Sequence, residues 1–259
     1  MEGWLAWLAA PMEQPPLFGS FHILVAGTGV LAAAFLAWAL RNIPERTLWW
    51  ILGGLGILLA AGEILKQFFL YAIVYHQQYA WWYFPFQLCS LPLYFCPFLP
   101  LLRKGPLREA LLTFLMSFNL LGGLAALAFP SDLLHPYRFW TWHGFLWHIV
   151  LVFLGLLAGL HRTAVPERSP RQFACALPVW GFSVILATIL NILLHEKGEV
   201  NLFYISPYYR SGQPVIASLE KAWGLPAGIA VYLTAMVLGA LLVYGMVGAW
   251  RARYLRKLQ

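Results

Sequence analysis

A chain of 259 residues in which 61% of side chains are apolar and only 10% charged, with a mean hydropathy of +0.70, falls outside the soluble globular class, where about a quarter of residues carry charge. The net charge of +7 does not point to nucleic acid, because no basic patch is interleaved with exposed aromatics in a soluble module. The composition predicts an all-α, polytopic helical bundle in a membrane, folded as one domain over residues 1–259 with no periodic repeat.

Residues 1–20 come first. The apolar stretch 4–10 is short and has an acidic flank, which argues against a cleavable signal and for an interfacial helix with Trp4 and Trp7 at headgroup level. Seven windows then follow at 21–40, 48–74, 82–102, 109–129, 139–161, 173–194 and 226–249, each near the ~20 helical residues that cross a ~30 Å hydrocarbon core. Pro85, Pro92, Pro97 and Pro178 lie inside these windows and predict kinks rather than breaks in the set, since neighbouring helices can satisfy freed backbone groups. The longest connection, 195–225, is too apolar and aromatic for a solvated tether, and reads as an external re-entrant or lid-like loop.

Twelve of the seventeen Lys and Arg lie in alternate connections, at Arg41 and Arg46, at Arg103, Lys104 and Arg108, at Arg162, Arg168 and Arg171, and at Arg251, Arg253, Arg256 and Lys257. Only Arg138, Lys197, Arg210 and Lys221 lie in the other set, and Lys66 falls within a window. The positive-inside rule then places the N-terminus outside and the C-terminus in the cytoplasm, with about seven crossings.

Polar groups inside such windows need partners or a purpose. Projected from the window ends, His22, Glu63, Lys66, Gln87, Cys89, Ser90, Asn119, His143, His148 and Asn191 fall mostly in the outer half of the bilayer, within a layer roughly 10–15 Å thick at 1.5 Å per residue. That common depth predicts a polar cavity opening outward. Each residue also has a plainer role. Glu63 and Lys66 are spaced i, i+3 and can neutralise each other, Asn119 and Asn191 can tie helices together, His22 can be a satisfied interfacial side chain, and Gln87 can bond backbone freed near Pro85.

Cys89 and His148 form the most specific chemical pair, because a buried thiol becomes a nucleophile when an imidazole takes its proton. The competing reading is two ordinary core residues on separate helices. Cys96 and Cys175 read as small hydrophobes. Cys89 and Cys96 stand ~10.5 Å apart along a helix, too far to bridge, so all three thiols are expected free unless Cys175 approaches one of the others. His143 and His148, spaced i, i+5, lie about 140° apart around a helix and do not share a face, so no metal site is expected. No Walker loop, dinucleotide fingerprint or Gly-x-Ser-x-Gly elbow is present, and no cofactor is expected.

These residues fall in segments that resemble the YwaF-like integral membrane proteins, bacterial chains of about this length with an animal, transmembrane protein 164-like branch. The likeness covers most of the chain. It rests on Phe18-Gly-Ser-Phe-His22 entering the first window, on Phe86-Gln-Leu-Cys-Ser-Leu91, on Trp142-His-Gly-Phe-Leu-Trp-His148 before an apolar run, and on Asn191-Ile-Leu-Leu followed by Asn201-Leu-Phe-Tyr204. The resemblance implies a cysteine-dependent phospholipid acyltransferase, as the animal branch is thought to make polyunsaturated ether phospholipids through a cysteine and a histidine. Those two residues fall on Cys89 and His148. His143 departs from the pattern, which has a polar residue there, and stands as an alternative base.

Two functional readings follow. In one, a membrane-embedded acyltransferase or acyl hydrolase uses Cys89 and His148 on a phospholipid or lysophospholipid, with Gln87, Lys66, Glu63, Asn119, Asn191, Asn201 and His22 as substrate, oxyanion or cavity residues. In the other, the cavity belongs to a non-enzymatic lipid or small-solute binding protein or transporter. A third has the polar groups serve only to hold the helices of a scaffold or sensor together. The expected location is multi-pass in a bacterial cytoplasmic membrane, with the bilayer as partner and no nucleic acid; the sequence fixes no oligomeric state.

Overall fold

In a computed structural model, residues 3–162 and 169–256 are described; Arg168 and Lys257, assigned above to the basic side, lie outside them, and so does the side chain of Trp4. The described regular elements are helical, apart from an isolated antiparallel bridge between Pro11 and Tyr137. Among the described residues, six helices are long and apolar enough to cross a membrane: α1 (Ser20–Ala39), α2 (Glu45–Val74), α3 (Pro106–Ala128), α4 (Arg138–Leu160), α5 (Pro170–Lys197) and α6 (Leu225–Arg253). The protein is an integral membrane protein that passes the bilayer several times. The central pair is α3 and α4, whose most apolar windows are 72% buried. The other four present Leu, Ile and Phe outward, such as Leu31, Ile57, Phe182 and Leu238, as lipid-facing helices do.

The window expected at 82–102 is not a regular helix. It contains a 3-10 turn at Trp81–Tyr83, extended backbone at Phe84 and Gln87, a second 3-10 turn at Leu88–Ser90, one α-turn at Leu91–Phe95 and a 3-10 run at Cys96–Leu101. Prolines at 85, 92, 97 and 100 remove the amide donors and crowd the turns that a continuous α-helix needs. Because 3-10 backbone rises ~2.0 Å per residue, residues 88–101 still cover roughly 25 Å.

This broken segment runs antiparallel to α2 along its whole length. Gln67 donates to the Tyr83 carbonyl at one end, the α-carbons of Gly56 and Gly53 face Cys96, Pro97 and Pro100 in the middle, and Glu45 pairs with Lys104 and Arg108 at the other end. Gly56 makes the approach possible. A Cβ there would sit 2.6 Å from the Cys96 Cβ and 2.7 Å from the Pro97 nitrogen, and backbone cannot yield that much.

The two ends of the bundle differ in kind. At the Glu45 end the Arg162 amide donates to the Arg41 carbonyl, the His161 ring bonds the Ile43 carbonyl, and the Arg251 guanidinium reaches the Arg162 carbonyl. The basic connections therefore meet at one end. At the opposite end Met12 and Arg138 exchange backbone bonds with Pro136 and Ala10, and Gln14 donates to the Leu134 carbonyl. This pins residues 10–14 to the 130–138 connection, while Leu8 packs with Phe69, Leu70 and Trp140.

Candidate functional site

At that second end a cavity of ≈ 320 Å³ lies between α2, the broken segment, α3, α4 and α6, with Phe203, Tyr204 and Gln213 of the long connection closing over it. Its α4 wall is one stripe: Trp140, His143, Gly144, Trp147 and His148 line it. At 100° per residue these five span about 140° of helix surface, with the two histidines at its edges. The i, i+5 spacing thus does not separate His143 from His148, as the sequence suggested; the cavity is broad enough to touch both flanks of the stripe.

Cys89 sits in the 3-10 turn Leu88–Ser90 and also lines this cavity. The Trp147 indole donates to the Cys89 carbonyl at 3.1 Å, which ties the turn to α4. The His148 Nδ1 stands 2.7 Å from the Gly144 carbonyl. A carbonyl only accepts, so Nδ1 carries the proton, and in the neutral ring Nε2 is left as a bare acceptor. Among the described residues no hydrogen bond joins His148 to the Cys89 sulfur. All three cysteines are free thiols.

Glu63 and Lys66 form an ion pair at 2.8 Å on the α2 side of the cavity, and Gln67 donates to the same Glu63 oxygen at 2.7 Å. Buried charges persist when paired and hydrogen-bonded in this way. The pair also lines the cavity, as Ser90 does. Among the described residues the buried Nε2 of His143 has no hydrogen-bond partner.

The remaining candidates are elsewhere or occupied. Gln87 does not serve backbone near Pro85. Its Nε2 donates to the Asn201 carbonyl at 3.1 Å and its Oε1 accepts from the Phe203 amide at 2.7 Å, while the Pro85 carbonyl accepts from the Tyr94 hydroxyl. Asn191 exchanges two bonds with the Leu202 backbone. Asn201 accepts from the Ser206 amide and donates to the Tyr209 and Arg210 carbonyls. These three amides shape the 201–206 turn, in which Phe203 and Tyr204 have φ of 57° and 56°, a left-handed conformation uncommon for bulky residues. Asn119 lies outside the cavity lining and donates to the Leu151 carbonyl at 2.9 Å, joining α3 to α4. His22 is likewise outside it and bonds the Leu127 carbonyl at 2.8 Å.

Several cavity residues escaped the sequence reading. Asp132 and Tyr204 both line the cavity, and the Tyr204 hydroxyl donates to Asp132 at 3.1 Å; burial, then the Asp132 charge, holds that phenol well above its usual range. His135 stacks on Trp140 with ring centroids 3.5 Å apart. Burial pushes its pKa down to about 4, so it is a neutral ring at pH 7. Tyr232 enters from α6. The signal for Asp132 and His135 was a short connection, residues 130–138, rich in aromatics and His. For Tyr232 there was none, since a tyrosine in an apolar window reads as an interface anchor.

Residues 17–249 match the model of the TMEM164 family. No curated protein and no solved structure matches the chain.

Proposed function

The chain belongs to the TMEM164 family, and on that premise we propose that the cavity is the active site of a phospholipid acyltransferase or acyl hydrolase in which Cys89 is the nucleophile and His148 its base. The observation that carries this reading is that Cys89 and His148 line one cavity while the Gly144 carbonyl holds the His148 Nδ1 proton. The imidazole is thereby fixed in the tautomer that accepts a thiol proton through Nε2. His143 is the alternative base, but its Nε2 is buried on the α2 side, near Gly62. Resemblance to the YwaF-like proteins, whose animal branch is thought to be cysteine-dependent, supports the same assignment.

The chemistry divides into two transfers. Nε2 of His148 takes the Cys89 proton as sulfur adds to the ester carbonyl of a phospholipid. The resulting tetrahedral adduct expels the glycerol oxygen, which leaves with that proton as a lysophospholipid. The acyl thioester is then attacked by a lysophospholipid hydroxyl or by water, whose proton passes to His148, and the Cys89 sulfur is released to take it back. Among the described residues the thiol and imidazole are not hydrogen-bonded to each other, and such contacts commonly tighten when substrate binds.

Seven crossings, an external N-terminus and a cytoplasmic C-terminus complete the proposal, with the cavity at the outer face of a bacterial cytoplasmic membrane. The clustering of basic connections at the Glu45 end supports that orientation. An activated long-chain acyl ester applied to the detergent-solubilised protein is expected to label the parent, fail with Cys89→Ser and label His148→Ala far more slowly. Unchanged labelling of Cys89→Ser overturns the assignment. The unlinked thiol and imidazole favour one other reading, non-covalent binding of a lipid or solute, which predicts saturable binding that survives Cys89→Ser and no labelling of the parent.

A further inference from the structure

Attack on an ester makes an oxyanion, and an enzyme of this kind needs a donor aimed where that charge develops. The polar residues that the sequence offered for this each have a protein partner. Gln87 is engaged at both ends by the 201–203 backbone, Asn119 is bonded to Leu151 outside the cavity, and the Lys66 ammonium is drawn to Glu63. Two phenols lie within electrostatic range of the Cys89 sulfur, Tyr204 and Tyr232. The Tyr204 hydroxyl donates its hydrogen bond to Asp132. The Tyr232 hydroxyl, among the described residues, has no protein acceptor, and its side chain faces the cavity from α6, a different helix from the one that carries His148.

We propose that Tyr232 is a further catalytic residue, donating its hydroxyl hydrogen bond to the oxyanion formed when Cys89 attacks the acyl carbonyl. The inference rests on Cys89 being the nucleophile. Base and donor then approach the reacting carbon from separate walls, α4 and α6, and the two jobs of removing the thiol proton and holding the new alkoxide fall to different groups. Tyr204 is a positioning residue in this arrangement. Its ring meets the Tyr232 ring edge to face at 6.2 Å and 71°, and it is itself held by the strained turn that Gln87, Asn191 and Asn201 secure. No proton is lost from Tyr232 in the step: the C–S bond forms, the carbonyl π pair becomes the alkoxide, and the phenol O–H stays intact as it donates.

The test separates oxyanion chemistry from thiol reactivity in the detergent-solubilised protein. Acylation by p-nitrophenyl decanoate passes through a tetrahedral oxyanion, whereas alkylation by iodoacetamide does not. Tyr232→Phe removes one oxygen. It is expected to slow acylation of Cys89 by about 10²-fold, the usual effect of losing one such donor, while alkylation of the same sulfur stays within twofold of the parent and the melting temperature is unchanged. Acylation at the parent rate overturns the proposal, and so does an equal fall in both reactions, which marks a packing role. Cys89→Ser runs in parallel: loss of acylation there with full acylation in Tyr232→Phe overturns the Tyr232 role alone, whereas parent-rate acylation in Cys89→Ser overturns the nucleophile and this inference together.

Discussion

At the scale of single residues, the amides that looked like substrate contacts act as backbone partners. Asn191 is fully buried, and it meets both the C=O and the N–H of Leu202 at 3.0 and 2.8 Å, replacing the sheet or helix partner that an irregular buried turn lacks. Without it two backbone groups lie unpaired where no water reaches them. Asn191→Ala is therefore expected to destabilise the folded protein by about 2–6 kcal/mol, taking about 1–3 for each of the two orphaned groups, and thermal unfolding in detergent measures it. A loss below about 0.5 kcal/mol shows that the turn finds other partners. The same change is expected to slow acylation, since Phe203 and Tyr204 follow directly in the chain and close the cavity.

At the scale of elements, the broken segment packs against Gly53 and Gly56 of α2. Gly56 faces the backbone of Pro97 closely enough that any Cβ must displace it, whereas Gly54, two residues earlier, has nothing within 4 Å of where a Cβ would stand. Gly56→Ala is expected to cost about 1–3 kcal/mol through overpacking. Gly54→Ala should be neutral or stabilising by up to about 1 kcal/mol, because alanine is the better helix former. Equal melting temperatures for the two variants would sink this account of the α2 contact. Here hydropathy and backbone geometry part company. A window average registers residues 82–102 as apolar and is blind to four prolines, while the Gly56 approach depends on which face of α2 turns inward. The six regular spans were legible to within a few residues because apolar length alone marks them. The role of Gln87 was not, because its partner at Asn201 lies 114 positions away on a turn that no periodicity announces.

At the scale of the whole molecule, the cavity's position relative to the bilayer follows from whether residues 84–101 cross it. Depth arithmetic on single windows brought ten polar residues to a common level, and the cavity is lined by seven of them, Glu63, Lys66, Gln87, Cys89, Ser90, His143 and His148. It could not exclude Asn119 or His22, since depth says nothing of rotation about a helix axis. Gln77 and Arg103 are both exposed and flank the broken segment, one at the cavity end and one at the Glu45 end. If the segment crosses, they lie on opposite sides of the membrane; if it dips and returns, they share a side, and every later helix reverses. With Cys89, Cys96 and Cys175 replaced by Ser or Ala, Gln77→Cys is expected to react with a membrane-impermeant maleimide in intact cells, and Arg103→Cys only after permeabilisation. Reaction of both from outside would make the segment re-entrant. Reaction of Arg103→Cys alone would invert the orientation and turn the cavity toward the cytoplasm. The inverted result would leave the Cys89 and His148 geometry intact while changing which leaflet supplies the lipid, because the cavity lies at one end of the bundle and the basic connections at the other.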